Sequence, residues 1–225
     1  MPDQKYTFDE IEAVARLAHK YQIEDVQEQA VSLLKTYYTD KFREWDPHWS
    51  VKSPVAWHCA NPVGVVLLAR ILNEPSMLPT ALYSCAILGS KVLDGWKRHD
   101  GTIVNPSLED AKAAVSGYGA LSRDHGPMLD RIYAPPISPA CTSQFVTDCA
   151  EGIEQLRDRF KAVAAMGPPA MLTPWGLVIR ARDLVCRACG DELIRREGLE
   201  RREVWCALPA MFGVAVEGWE TCNVP

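Results

Sequence analysis

Apolar residues near the start of the chain recur at the spacing of an amphipathic helix. Phe8, Ile11, Ala15 and Ala18 form one stripe, widened by Val14, Leu17 and Tyr21, and this period predicts a helix with one buried face. Thr7 and Glu10 supply the pattern of a capping box at its start, and Tyr6 and Ile11 are spaced to staple across it. The stripe breaks over residues 22–25, and Val26, Ala30, Leu33 and Leu34 begin a second helical pattern. Two short helices so closely linked predict an antiparallel pair.

Prolines at 47, 54 and 62 make residues 46–62 a loop that ends in Asn61-Pro62, an N-cap followed by proline at the first helical position. A buried helix is expected through Leu72, and a second apolar helix over residues 81–88 after Pro75 and Pro79. Asp100-Gly101 reads as a turn, and Ser107 with Asp110 caps a helix that runs to about Leu121. The Pro- and Gly-rich stretch 123–139 reads as a surface crossing. A helix over 143–166 with one polar face is stopped by Gly167-Pro168-Pro169. A last helical stretch spans 174–204, with soft points at Gly190 and Gly198, and the apolar segment 205–213 is expected to dock on the body. No sustained alternating pattern appears, so the expected fold is all-α, an irregular multi-helix bundle.

The chain has 225 residues, 48% hydrophobic and 24% charged, with a net charge of −5. That composition describes a folded domain rather than a disordered tail. Nucleic acid binding relies on Lys and Arg to neutralise phosphates, and no basic face stands out, so no nucleic-acid partner is expected. The first ten residues lack the apolar core of a signal peptide, and no apolar run reaches the length of a membrane span. The expected location is cytoplasmic or nuclear, with no membrane partner. There, thiols stay reduced, so the eight cysteines are expected free or metal-bound rather than disulfide-linked.

Four of them matter most. Cys141 and Cys149 lie in one segment, and Cys186 and Cys189 form a CxxC in another. Four thiolates satisfy a tetrahedral structural zinc, which would staple the 143–166 helix to the 174–204 helix. Buried, reduced packing thiols fit the same residues, and a disulfide would fit an exported protein. A thioredoxin-like role is disfavoured because the CxxC falls within a helical pattern rather than at a helix start after a strand.

No catalytic set emerges, so an enzyme is not expected. His58 and Cys59 are adjacent and would need a special turn to act together. An unrecognised cysteine/histidine enzyme gathered around them is an alternative reading. His19, His48, His99 and His125 are scattered, and Gly117-Tyr118-Gly119 lacks the third glycine and the strand of a phosphate loop. The charged run 195–202 interleaves Glu with Arg and reads as a solvated face with intrahelical pairs. Trp45, Trp175, Trp205 and Trp219 read as anchors at helix ends.

Several segments together resemble the BTB (POZ) domain proteins of basidiomycete fungi. Residues 8–34, with Leu17, His19, Lys20 and Tyr21 at the turn, resemble the closing helices of such a domain. Glu44-Trp45-Asp46 is similar to the family's stop after them. Leu68-Ala69-Arg70 and Leu78, Pro79, Ala81 and Tyr83 are similar to its next helical pair. Asp94-Gly95, Asp100-Gly101 and Leu108-Glu109-Asp110 follow in order, and Trp205, Leu208, Pro209, Phe212 and Gly213 resemble its ending signature. The family's three-stranded sheet would have to precede Thr7, so the chain reads as the family's C-terminal part.

The resemblance implies residues 1–45 as a remnant of the closing helices and 46–225 as a helical C-terminal domain, with lobes 46–122 and 123–225. It also implies cysteines in the two regions named above. It further implies a non-catalytic interaction protein, an adaptor or shortened paralogue, whose partner is a BTB protein, a cullin or a second copy. Helices that normally pack on a missing sheet should expose Phe8, Ile11 or Val14, the expected interaction residues. A zinc-stapled regulator in transcription or ubiquitin-ligase assembly is the other reading.

Overall fold

The computed structural model describes residues 5–45, 55–56, 61–135, 138–141, 149–180 and 184–222. Most of the expected 46–62 loop, His48, the His58-Cys59 pair and the beginning of the expected 143–166 helix lie outside the described residues. Among those residues the fold is all-α, with eight α-helices and four two-residue strands. The chain divides into two compact units, residues 1–118 with 206–225, and residues 119–205.

In the first unit, helix α1 (Phe8–Tyr21) begins at the predicted capping box. The Thr7 amide donates to Glu10 Oε2 at 2.7 Å, and the Glu10 amide donates to Thr7 Oγ1 at 3.3 Å. The helix ends where Gln22 turns left-handed at φ 56°, and the Ile23 amide bonds back to the Ala18 carbonyl at 2.9 Å, closing the turn as a C-terminal cap does. Helix α2 (Glu24–Lys35) then packs along α1. Helices α3 (Asn61–Ile71) and α4 (Leu78–Ile87) are buried on nearly every side, consistent with their unbroken apolar sequences. Strands β1 (Tyr6–Thr7) and β2 (Val55–Ala56) pair in parallel. Strands β3 (Trp96–Lys97) and β4 (Ile103–Val104) pair antiparallel around the predicted turn, with Gly101 at φ 86°. Such two-residue strands have too little alternation to register in the sequence.

The expectation that Phe8 and Ile11 face outward is corrected. They are 1% and 4% exposed. The Phe8 ring meets Trp96 edge-on, with centroids 4.9 Å apart, over Gly64 of α3. A Cβ at Gly64 would sit 2.5 Å from the Phe8 ring, so the missing side chain makes room for the aromatic. Arg98 reaches Glu12 of α1 at 2.7 Å. Residues 5–45 fall within the larger first unit. Val14 is 46% exposed, as expected.

Helix α5 (Leu108–Ile132) opens on the predicted cap, where Asp110 and Ser107 exchange hydrogen bonds and Arg70 binds Asp110 at 2.8 Å. It does not stop near Leu121 but passes through Gly126 and Pro127. Leu121, His125, Met128 and Ile132 are buried at helical spacing. That packing outweighs the lost amide of Pro127 and turns the expected surface crossing into helix. Helix α6 (Cys149–Met166) buries Cys149, Ile153, Leu156 and Phe160.

The expected 174–204 helix is two helices, α7 (Gly176–Arg180) and α8 (Arg187–Phe212), with Leu184, Val185 and Cys186 outside both. The CxxC thus straddles a helix start. Trp205 and Pro209 lie inside α8 rather than at its end. Leu208 and Phe212 are buried, and Phe212 packs on Gly117. After Gly213 and Gly218, both at positive φ, the chain brings Cys222 to Cys206, and the two form a disulfide with Cα atoms 5.7 Å apart. These two thiols were expected free or metal-bound. Their proximity depends on the turns of the tail, which their sequence separation does not disclose. No helix among the described residues is long and apolar enough to cross a membrane.

Candidate functional site

The two cysteine pairs come together within the 119–205 unit. Cys141 follows a turn in which its amide bonds the Ser138 carbonyl, and Cys149 is the first residue of α6. Cys186 precedes α8, and Cys189 sits in its first turn. The four sulfurs all lie within 4.8 Å of one another. A zinc tetrahedron with Zn–S near 2.3 Å requires sulfur–sulfur edges of about 3.8 Å, so a small contraction would close the shell. Cys149 and Cys189 are buried, and Cys141 and Cys186 partly so.

One residue that the sequence reading passed over builds this site. Gly152 lies one turn along α6 from Cys149, and a side chain there would overlap the Leu184 carbonyl. Its absence lets the 184–186 backbone lie on α6, and the Cys186 amide donates to Cys149 Sγ at 3.2 Å. Amide bonds of this kind orient thiolate ligands and spread their charge. The available signal was a lone glycine in an otherwise strong helical pattern, which marks a close backbone approach.

Burial pushes the Cys189 thiol up, and hydrogen bonds that its S–H makes to Cys141 and Cys186, together with the nearby Cys186 and Cys149 sulfurs, add to the effect. Four neighbouring thiols cannot all ionise unaided, whereas a divalent cation reverses that balance and deprotonates them. The CxxC stands at a helix start, contrary to expectation. Among the described residues no strand leads into it, its second cysteine is buried, and its sulfurs lie beside those of two more cysteines.

Elsewhere in the 119–205 unit, the charged run is less solvated than expected. Glu192 pairs with Arg195 and Arg196, as an intrahelical reading requires. Glu200 instead accepts a forked pair of hydrogen bonds from Arg131 of α5. Glu197 is buried and accepts the Trp175 amide at 2.8 Å. Burial raises its pKa against the opposing effects of that amide and Arg201.

In the first unit, the exposed side of α1 and α2 forms a cleft of about 400 Å³ lined by Tyr6, Glu10, Ile11, Val14, Val26 and Leu33, among others. Tyr6, Val14 and Val26 are exposed by 54%, 46% and 37%. Of the expected interaction residues, Ile11 forms its floor, Val14 its wall, and Phe8 belongs to the core beneath. His19 bonds Gln27 between the two helices at 3.2 Å, and His99 lies at a separate charged cleft with Glu12, Arg16 and Arg98.

No family model matches the chain, and no match was found among curated proteins or solved structures.

Proposed function

We propose that this chain is a non-catalytic interaction protein: a helical scaffold, fastened in its 119–205 unit by one structural zinc, that binds a protein partner in the α1/α2 cleft. The observation that carries the reading is the cleft itself. Apart from Glu10 and Gln29 its lining side chains are apolar, and Tyr6, Val14 and Val26 remain exposed after the unit has buried its own core. Grooves of this form accept the apolar face of a partner helix, with side chains at alternate turns as anchors. The resemblance of residues 8–34 to BTB closing helices makes a BTB-domain protein the first partner to try.

The test is quantitative capture from the cells that express the chain, using the full chain and a Val14→Glu/Val26→Glu variant, with sedimentation velocity on both. Each glutamate would place a charge in a buried apolar contact. A stoichiometric partner, or a second copy, held by the unaltered chain and lost from the variant is the expected outcome. Equal capture by both folded proteins would refute the reading.

The zinc is a separate part of the proposal, supported by the four-thiol cluster. Cys141, Cys149, Cys186 and Cys189 would hold it, and it would supply no reaction, because four protein sulfurs leave no open position for a substrate. A zinc-stapled regulatory role is a second reading favoured by the same cluster. It shares the scaffold and differs in which assembly the partner belongs to.

A further inference from the structure

Within the 119–205 unit, α5, α6 and the segment after Met166 border a second, partly open cavity of about 160 Å³. Leu129 from α5, Phe160, Val163 and Ala164 from α6, and Pro168, Ala170 and Trp175 from the following segment form apolar walls. Phe160 and Trp175 stand 5.0 Å apart, and Tyr133 stacks on Phe160 at 5.8 Å. The cavity therefore adjoins a ladder of aromatic rings, against which another ring packs favourably, edge or face. The Gly167 amide bonds Val163, and the Ala170 amide bonds Pro168. The wall's amides are thus largely spent within the protein.

One polar side chain in the wall is not spent. His125 is 7% exposed, and its Nδ1 is buried without a hydrogen-bond partner. Burial lowers its pKa, so the imidazole is neutral near pH 7. Among the described residues no charged side chain lines the cavity. A neutral imidazole with an unpaired, buried ring nitrogen in an apolar wall is costly for folding alone, and it is the arrangement by which small-molecule sites orient a ligand, one polar group among apolar ones.

We propose that this cavity binds an uncharged, single-ring aromatic molecule bearing one hydroxyl, with its ring against Phe160 and Trp175 and its hydroxyl paired with His125. The size fits one ring: an apolar protein cavity of about 150 Å³ accepts benzene. The absence of a cation in the wall excludes a carboxylate, which would be buried unpaired. This site is independent of the α1/α2 cleft and of the cysteine cluster.

The test uses the full chain with 4-fluorophenol, fluorobenzene and 4-fluorobenzoate, followed by fluorine NMR. Saturable binding of one equivalent of 4-fluorophenol, displaced by phenol, is expected, with weaker binding of fluorobenzene and none of fluorobenzoate. Ala164→Leu, and separately Ala170→Leu, should fill the cavity and abolish binding while circular dichroism stays unchanged. His125→Phe should weaken fluorophenol by roughly three- to tenfold, the worth of one hydrogen bond, and leave fluorobenzene unaffected. Absence of saturable binding to the unaltered chain would overturn the proposal, as would binding that survives both cavity-filling variants. Equal binding of fluorobenzoate would overturn the assigned ligand class.

Discussion

Single residues carry much of this structure in ways their chemistry explains. Glu197 lay in a charged run whose alternation suggests a solvated face, yet it is buried against the Trp175 amide. The sequence could not disclose this, because the contact spans two elements whose approach depends on the whole unit. Its raised pKa has a testable consequence. A carboxyl that holds its proton more tightly when folded stabilises the fold below its unfolded pKa, and that contribution fades as pH rises through the folded value. The stability of the native chain relative to a Glu197→Gln variant should therefore fall as pH increases above about 4.5, the ordinary value for a glutamate carboxyl. Urea unfolding at a series of pH values reads this directly, and a difference that grows with pH would contradict the assigned environment.

At the scale of elements, the helix starts were legible because they are local. Thr7 with Glu10 and Ser107 with Asp110 are read from residues three apart, and both form the predicted caps. The α1 stripe was legible too, but which neighbour it buries against was not. Phe8 goes into the core because Gly64 of α3 leaves space for its ring, a fact held fifty-six positions away (64 − 8). Helix α5 was misread where proline chemistry and packing disagree. The rule that proline ends a helix lost to the buried stripe that runs on through Met128 and Ile132. If so, Pro127 is a local liability, and Pro127→Ala should stabilise the chain by up to about 3 kcal/mol through a restored amide and relieved crowding. Chemical denaturation measures this. A loss of stability would mean that the proline shapes a bend that the packing needs.

At the scale of the whole molecule, the candidate metal centre was partly legible. The sequence supplied four cysteines of a suitable kind but left zinc, packing thiols and a disulfide all open. The fold narrows this by bringing precisely placed elements, a turn, the start of α6 and the start of α8, to one point. What the sequence lacked was the approach permitted by Gly152. The zinc proposal predicts about one zinc per chain by elemental analysis of untagged protein. It predicts a lower melting temperature with chelator, and loss of the metal in Gly152→Ala, whose added methyl pushes residues 184–186 off α6. Metal-free protein whose melting is unmoved by chelator would leave the four cysteines as packing thiols.

The interaction role is the central claim, and site-specific photocrosslinking tests it most directly. A photoreactive side chain is placed at Val14, in the cleft, or at Leu108, equally apolar and 72% exposed but outside the cleft lining. Irradiation in the expressing cells should give one discrete adduct from the Val14 position and none above background from Leu108. No adduct at Val14, or the same adducts from both positions, would contradict the account.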